Sequence, residues 1–311
     1  MKILLAGATG AIGRPLIPLL TRSGHTVIGS TRSPAKTDAL RALGAEPIVL
    51  DGLDRAAVLD AVARVRPDAI VHQMTALATV DMRRFARSFA LTDRLRTEGT
   101  DHLLEAARRN GVERVVAQSF TGWPNARSGP SAQLKSERDP LDPNPPKQLR
   151  RTLAAIRHVE RTVTAAGGVA LRYGGLYGPG TGLAPGGDQW DLIARRGFPL
   201  VGDGAGVWSL LQIEDAARAT LAALERWTPG EVYNVCDDEP APVREWLPVL
   251  AAAIGAEPPR HVPRWVGRML GAHVVALMCE IRGSSNAKAK ALLEWEPQWP
   301  SWREGFAALA R

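Results

Sequence analysis

The chain is 311 residues long, 45% hydrophobic and 23% charged, with a formal net charge of +7. That suits one large globular domain or two smaller ones around a sizeable core. The basic residues fall in scattered pairs (Arg108-Arg109, Arg150-Arg151, Arg195-Arg196) interleaved with acids, which argues against a nucleic-acid surface, and no apolar stretch approaches a membrane span.

A first strand is expected over residues 2–6, and its apolar run stops too soon for a signal peptide, so the cytoplasm is the expected compartment. At once follows Gly7-Ala-Thr-Gly10-Ala-Ile-Gly13, then an amphipathic helix over 14–23. A strand, a tight glycine turn and a helix start bring bare backbone N–H groups and a positive helix end toward a phosphate. Gly7, Thr9, Gly10, Ala11, Ile12 and Gly13 are therefore the expected cradle of a dinucleotide.

The second strand, over 26–31, runs into Arg32 and Ser33, with Lys36 a helical turn later. NAD-binding versions of such a unit end this strand on a carboxylate that holds the adenosine ribose. A guanidinium and a hydroxyl suit a 2′-phosphate instead, so NADP is favoured over NAD. A third strand over 47–50 leads to Asp51, Gly52 and Leu53, expected near the adenine, and a helix over 55–65 follows. The fourth strand, 69–72, carries His72, read as a packed core histidine, and then Gln73, Met74 and Thr75, which would border the ribose and pyrophosphate.

A helix over 100–109 precedes a fifth strand over 114–117, after which Ser119 and Thr121 flank Phe120. Residues 122–147, rich in Pro, Ser, Asn, Asp and Gly, form a long loop, and a sixth strand spans 168–172. Strands alternating with helices predict an α/β fold built on a doubly wound parallel Rossmann sheet. Past residue 178 the pattern changes to glycine- and proline-rich turns with most of the tryptophans. The expected division is a nucleotide-binding domain over 1–177, completed by about 207–235, and a smaller C-terminal substrate lobe of 178–206 and 236–311. Trp123, Trp190 and Trp208 are candidates to line a pocket for an apolar or aromatic small molecule. Asp215 is read as an anchor of the helix that it opens. Cys236 and Cys279 stand far apart without histidine clusters, so no metal site and no disulfide framework is expected.

The residues resemble the short-chain dehydrogenase/reductases, in their extended NAD-dependent epimerase/dehydratase branch. The matching segments are the glycine turn, Gly99-Thr-Asp-His-Leu-Leu-Glu-Ala-Ala107, Leu171-Arg-Tyr-Gly-Gly-Leu-Tyr-Gly-Pro179, Val207-Trp-Ser-Leu-Leu-Gln-Ile-Glu-Asp-Ala216 and Ser285-Asn-Ala-Lys-Ala-Lys-Ala-Leu-Leu-Glu-Trp295. The resemblance implies a tyrosine and, four residues later, a lysine on the helix before the sixth strand. Aligning Glu160 with the family's glutamate puts Thr152 and Ile156 at those positions, and Tyr173, Tyr177 and Tyr233 all lie off that helix. The chain is thus similar to an atypical member.

Three functions are compatible with it. The leading one is an NADPH-dependent oxidoreductase acting on a small-molecule carbonyl or activated double bond, with a proton from Tyr173 or from water ordered by Ser119 and Thr121. The second is a sugar-nucleotide-type epimerase or dehydratase. The third is an NADP-binding regulatory or sensor protein without turnover. A homodimer is one open assembly.

Overall fold

Seven strands make one parallel sheet in the computed structural model of the protein, which describes residues 1–77, 80–128 and 133–309. They are β1 (Lys2–Ala6), β2 (Thr26–Thr31), β3 (Glu46–Val49), β4 (Ala69–His72), β5 (Arg114–Phe120), β6 (Val169–Tyr173) and β7 (Val232–Val235). In space they run β7-β6-β5-β4-β1-β2-β3, every neighbour parallel, so the chain reverses its direction of travel between β1 and β4. A crevice opens at the carboxyl ends of the strands at such a switch point.

The sheet is buried on both faces, and the two-residue alternation of each strand divides its side chains between two cores. Ile3 and Leu5 of β1 pack with Leu16, Ile17 and Leu20 of helix α1 (Gly13–Arg22). Leu4 and Ala6 turn the other way, onto Val58, Ala61 and Val62 of α2 (Arg55–Val65) and Leu103, Ala106 and Ala107 of α3 (Thr100–Arg109). Each fully buried Leu or Ile contributes about 2 kcal/mol relative to exposure. Helix α4 (Arg150–Ala165) covers β5 and β6 through Val159 and Val163, and α5 (Ile213–Glu225) joins α1 in the first core.

α2 starts on Asp54, whose carboxylate accepts from the Ala57 N–H at 3.0 Å, and ends at Arg66 in the left-handed region. α5 starts on Gln212, whose side-chain oxygen accepts from the N–H groups of Glu214 and Asp215. Asp215 in turn accepts from the backbone of Gln298 and Trp299 at 2.9 and 3.0 Å, so it ties the C-terminal segment to the start of α5.

A further core lies beyond the sheet, where Tyr177, Leu183, Ile193 and Leu210 pack with Trp246, Leu247, Leu250, Trp302 and Phe306. Three two-stranded pairs stitch this part to the rest: Gly175–Tyr177 with Leu210–Gln212, Val207–Trp208 with Ala241–Pro242, and Leu200–Val201 with His261–Val262.

Two expectations shift. β5 runs to Phe120, beyond the residue 117 read from sequence, because parallel pairing with β6 continues as far as Phe120 opposite Tyr173. The loop at 122–147, of which residues 129–132 lie outside the described residues, is tied down on both sides: Asp142 donates its N–H to the Pro124 carbonyl, and Lys135 donates to Gly283. Both cysteines are free and buried. Among the described residues no helix is long and apolar enough to cross a membrane, and no cluster of three metal-ligating side chains occurs.

Candidate active site

A cavity of about 550 Å3 occupies the crevice beside β1, and the glycine turn is its floor. Gly7 holds φ +91°, and a Cβ there would stand 2.7 Å from the Gln73 backbone. Only glycine fits that approach without strain. At Gly13, the first residue of α1, a Cβ would meet the Gly7 and Ala8 carbonyl oxygens at 2.5 and 2.6 Å. α1 begins without a side-chain cap and without an acidic residue in its first turn. Its end is thus open to an anion, as a pyrophosphate requires. The Gln73 side-chain oxygen is buried with no partner, and Gln73 lines the same space. A dinucleotide fits this donor and acceptor set.

Gly7, Thr9, Gly10 and Ala11 line the cavity, as do Arg32, Gly52, Gln73, Met74 and Thr75. Ser30, Thr31 and Lys36 join Arg32 at the end of β2. The other residues expected to touch the cofactor shape the turns instead. Ile12 is buried in the core below α1, and Gly13 is spent on the helix–turn contact. Ser33 donates its N–H to the Thr31 hydroxyl at 3.2 Å, and exposed Asp51 accepts from the Leu53 N–H at 3.0 Å, closing its own turn. Ser33, Asp51 and Leu53 do not line the cavity. Across from the cradle the segment Gly180, Thr181, Gly182 and Leu183 completes the wall, and a Cβ at Gly180 would stand 3.8 Å from Ala11. The sequence signal for that wall was only a run of glycines after Tyr177.

The expected catalytic set separates. Thr121 lines the cavity, its hydroxyl 2.6 Å from that of Ser284. Ser119 does not. Strand alternation turns Phe120 and Gln118 into the cavity and Ser119 toward α4, where its hydroxyl donates to Glu160 at 2.6 Å. Glu160 also takes two nitrogens of Arg172, each at 2.8 Å, in a buried ion pair. Tyr173 is corrected too: it is fully buried in the first core and does not line the cavity. Its hydroxyl sits 2.6 Å from Thr220 and accepts from Gln73 at 3.0 Å, and burial pushes its pKa up to about 12. The phenol thus reaches the cavity wall only through Gln73 and does not itself face the open space. His72 is the core histidine expected: its Nε2 lies 3.1 Å from the Thr100 hydroxyl and 3.3 Å from the Leu95 carbonyl. Burial lowers its pKa to about 4.

Thr152 and Ile156 are fully buried on α4 and do not line the cavity; Thr152 donates to Asp93 at 3.1 Å. Among the described residues that do line it there is no tyrosine, and Lys36 is the one lysine. Of the tryptophans, Trp123 and Trp208 line the cavity, whereas Trp190 packs against the C-terminal core. Trp123 meets Phe85 edge-on, ring centres 6.1 Å apart, and Phe85 stacks on Phe89 at 4.2 Å. With Phe120, Leu277 and Ile281 they give one end of the cavity an aromatic and aliphatic wall. Sequence reading missed Phe85 and Phe89, which lie in a stretch with no strand or turn signal, and missed Arg96, a buried cation at the cavity edge.

Comparison with known proteins places the chain in a family. The profile of the NAD dependent epimerase/dehydratase family matches residues 3–236. The chain is 44% identical over 317 aligned positions to a 3-diazoavenalumate denitrifying reductase from a Streptomyces species, covering 98% of this chain and 99% of that one. It is 31% identical to a 2-alkyl-3-oxoalkanoate reductase of Stenotrophomonas maltophilia, over 82% of this chain and 76% of the relative. Among solved structures it resembles the UDP-glucose 4-epimerase of Thermus thermophilus in complex with NAD, with a TM-score of 0.76 at 24% identity, covering 100% of this chain and 98% of that one.

Proposed function

Because the chain belongs to the NAD-dependent epimerase/dehydratase family, we propose that it is an NADPH-dependent reductase of a small aromatic molecule bearing a diazo group, which it removes as dinitrogen. Residues 1–177, completed by 207–235, would hold the coenzyme, and the remaining C-terminal lobe would present Leu277 and Ile281 to the substrate. The observation that carries the reading is the fate of α4: Thr152 and Ile156 face the protein interior, so no phenol–ammonium couple stands at the cavity.

Reduction of a carbonyl develops an alkoxide, which such a couple protonates. An aryldiazonium group needs no such help. Addition of a hydride, with its electron pair, forms the new C–H bond; the C–N bond breaks and its electrons leave on dinitrogen. Charge balances without an acid, since a cation and a hydride give two neutral products. The similarity to a denitrifying reductase along 98% of the chain supports this chemistry.

NADPH, when bound, would supply the hydride from its nicotinamide. The protein's part is to bind and orient. The open end of α1 and the amides of the glycine turn receive the pyrophosphate. Arg32, Lys36 and Thr31 offer two cations and a hydroxyl to a 2′-phosphate where a carboxylate would select NAD. Phe85, Phe89, Phe120 and Trp123 form a slot for a flat ring and keep water from it. Thr121 presents a hydroxyl that Ser284 fixes.

The test uses an aryl diazo acid and NADPH deuterated on the reactive nicotinamide face. Nitrogen release and deuterium at the carbon that lost nitrogen are expected. Firm NADPH binding with no deuterium transfer to diazo compounds or to a panel of carbonyls would overturn the reading in favour of a binder without turnover.

A further inference from the structure

Arg96 is a charged side chain of the cavity with no task in the chemistry above. It lies in the π-helical turn Leu95–Gly99, is 3% exposed, and lines the cavity. Single π-helical turns inside helices recur at functional sites. The Arg96 Nε and Nη1 atoms are buried without a hydrogen-bond partner.

Asp93 and Glu160 lie near enough to act on its charge, but neither accepts a hydrogen bond from it. Glu160 holds Arg172 and Ser119. Asp93 accepts from Thr152 at 3.1 Å and faces Arg151 at 3.8 Å, and its other oxygen is as unpartnered as the Arg96 nitrogens. The imidazole of His72, whose pKa burial lowers to about 4, is neutral. Burial also lowers the Arg96 pKa, to about 10, which leaves a cation throughout the neutral range. A guanidinium held out of water without acceptors is costly, and one that faces a cavity is satisfied by an anion that enters.

The anion is not the coenzyme's 2′-phosphate. Arg32 and Lys36 stand at the end of β2, whereas Arg96 lies beside His72 at the end of β4, with β1 between those strands. Phe85 and Phe89 precede Arg96 on the same helical stretch and also line the cavity. Two walls of the aromatic slot and a planar fork of N–H donors are thus built by one segment. We propose that Arg96 recognises an oxyanion of the aromatic substrate, phenolate or carboxylate, and so selects acidic aromatic molecules over neutral ones. The inference rests on the reductase reading for its substrate class, and its test reads binding, not turnover.

The probes are para-hydroxycinnamate, its methyl ester, its methyl ether and the form methylated at both oxygens, titrated calorimetrically into the protein with and without NADP+. Wild-type protein should bind the parent acid about tenfold or more tightly than the doubly methylated form, as charge-assisted hydrogen bonds to a fork imply. The single methylation that abolishes the preference identifies the oxygen. Arg96→Gln should erase the preference while leaving the doubly methylated probe and NADP+ within about twofold of wild type. Should that variant not fold, Arg96→Lys, which keeps the charge but not the fork, should show a reduced preference.

Wild-type protein that binds none of the probes, or all of them equally, would overturn the proposal, as would a preference that survives Arg96→Gln. Loss of NADP+ affinity with the preference intact would assign the cation to the coenzyme instead. None of the probes carries a diazo group, so failure of diazo turnover and failure of anion recognition are seen separately.

Discussion

Arg32 and Tyr173 show how little a residue's type says without its partners. Arg32 ends β2 on the cavity wall with Lys36 beside it, and no carboxylate of that strand end lines the cavity. Arg32→Asp should therefore weaken NADPH binding by about ten- to a hundredfold, the range of a charge-assisted hydrogen bond lost and a repulsion gained, and leave NADH nearly unchanged. Fluorescence titration of both coenzymes decides it; equal losses would remove the 2′-phosphate contact. Tyr173 and Ser119 behave oppositely. Their hydroxyls are bound to Thr220 and Gln73, and to Glu160. Tyr173→Phe and Ser119→Ala should each cost about 1–2 kcal/mol of stability, by leaving buried groups short of a partner. Turnover should stay near wild type. A tenfold slower reaction in a variant that melts normally would return that hydroxyl to the chemistry.

At the scale of elements, α4 is where this chain departs from the pattern that it resembles. It packs Val159 and Val163 against β5, its Thr152 is bonded to Asp93, and both Thr152 and Ile156 are fully buried. Restoring the two residue types should not restore carbonyl reduction. The double variant Thr152→Tyr, Ile156→Lys puts a phenol where a threonine fits and an ammonium into a site with no exposure. Overpacking and an unpaired buried cation each cost several kcal/mol. A large fall in melting temperature with no gain on carbonyl substrates is expected. Carbonyl reduction by a variant that folds would show that α4 faces the nicotinamide after all. β5 makes the companion point. Its alternation, once extended to Phe120, decides that Phe120 rather than Ser119 lines the cavity.

Across the whole molecule, what was legible in the sequence was what local pattern governs. Strand periodicity and the glycine offsets placed β1, β2, β4, α1 and α2 within a residue or two, and with them the glycine turn whose Gly7, Thr9 and Gly10 line the cavity. Less legible were Ser119, whose direction waited on how far β5 runs, Trp190 and Tyr173, whose side chains are aimed by tertiary packing, and Arg96, which lies against His72 of β4 and Glu160 of α4. His72 joins both scales, because its environment is assembled from β4, the π-helical turn and α3. Burial holds its pKa at about 4, below the ordinary 6.5. The unfolded chain thus takes up a proton first as acid is added, and the native state resists it. Stability from this residue is whole above pH 6.5 and is lost as pH falls toward 4, amounting to roughly 3 kcal/mol at full. Asp93 and Asp237, whose carboxyls burial pushes upward, act in the opposite sense and gain stability as pH falls. The readout is therefore the difference between wild type and His72→Gln. The variant should be less stable at pH 7, where the buried hydrogen bonds of the ring are lost, and the gap should narrow steadily between pH 6.5 and 4. Melting curves for the two proteins that run parallel over that interval would mean that the imidazole ionises as easily folded as unfolded, and that β4 does not enclose it.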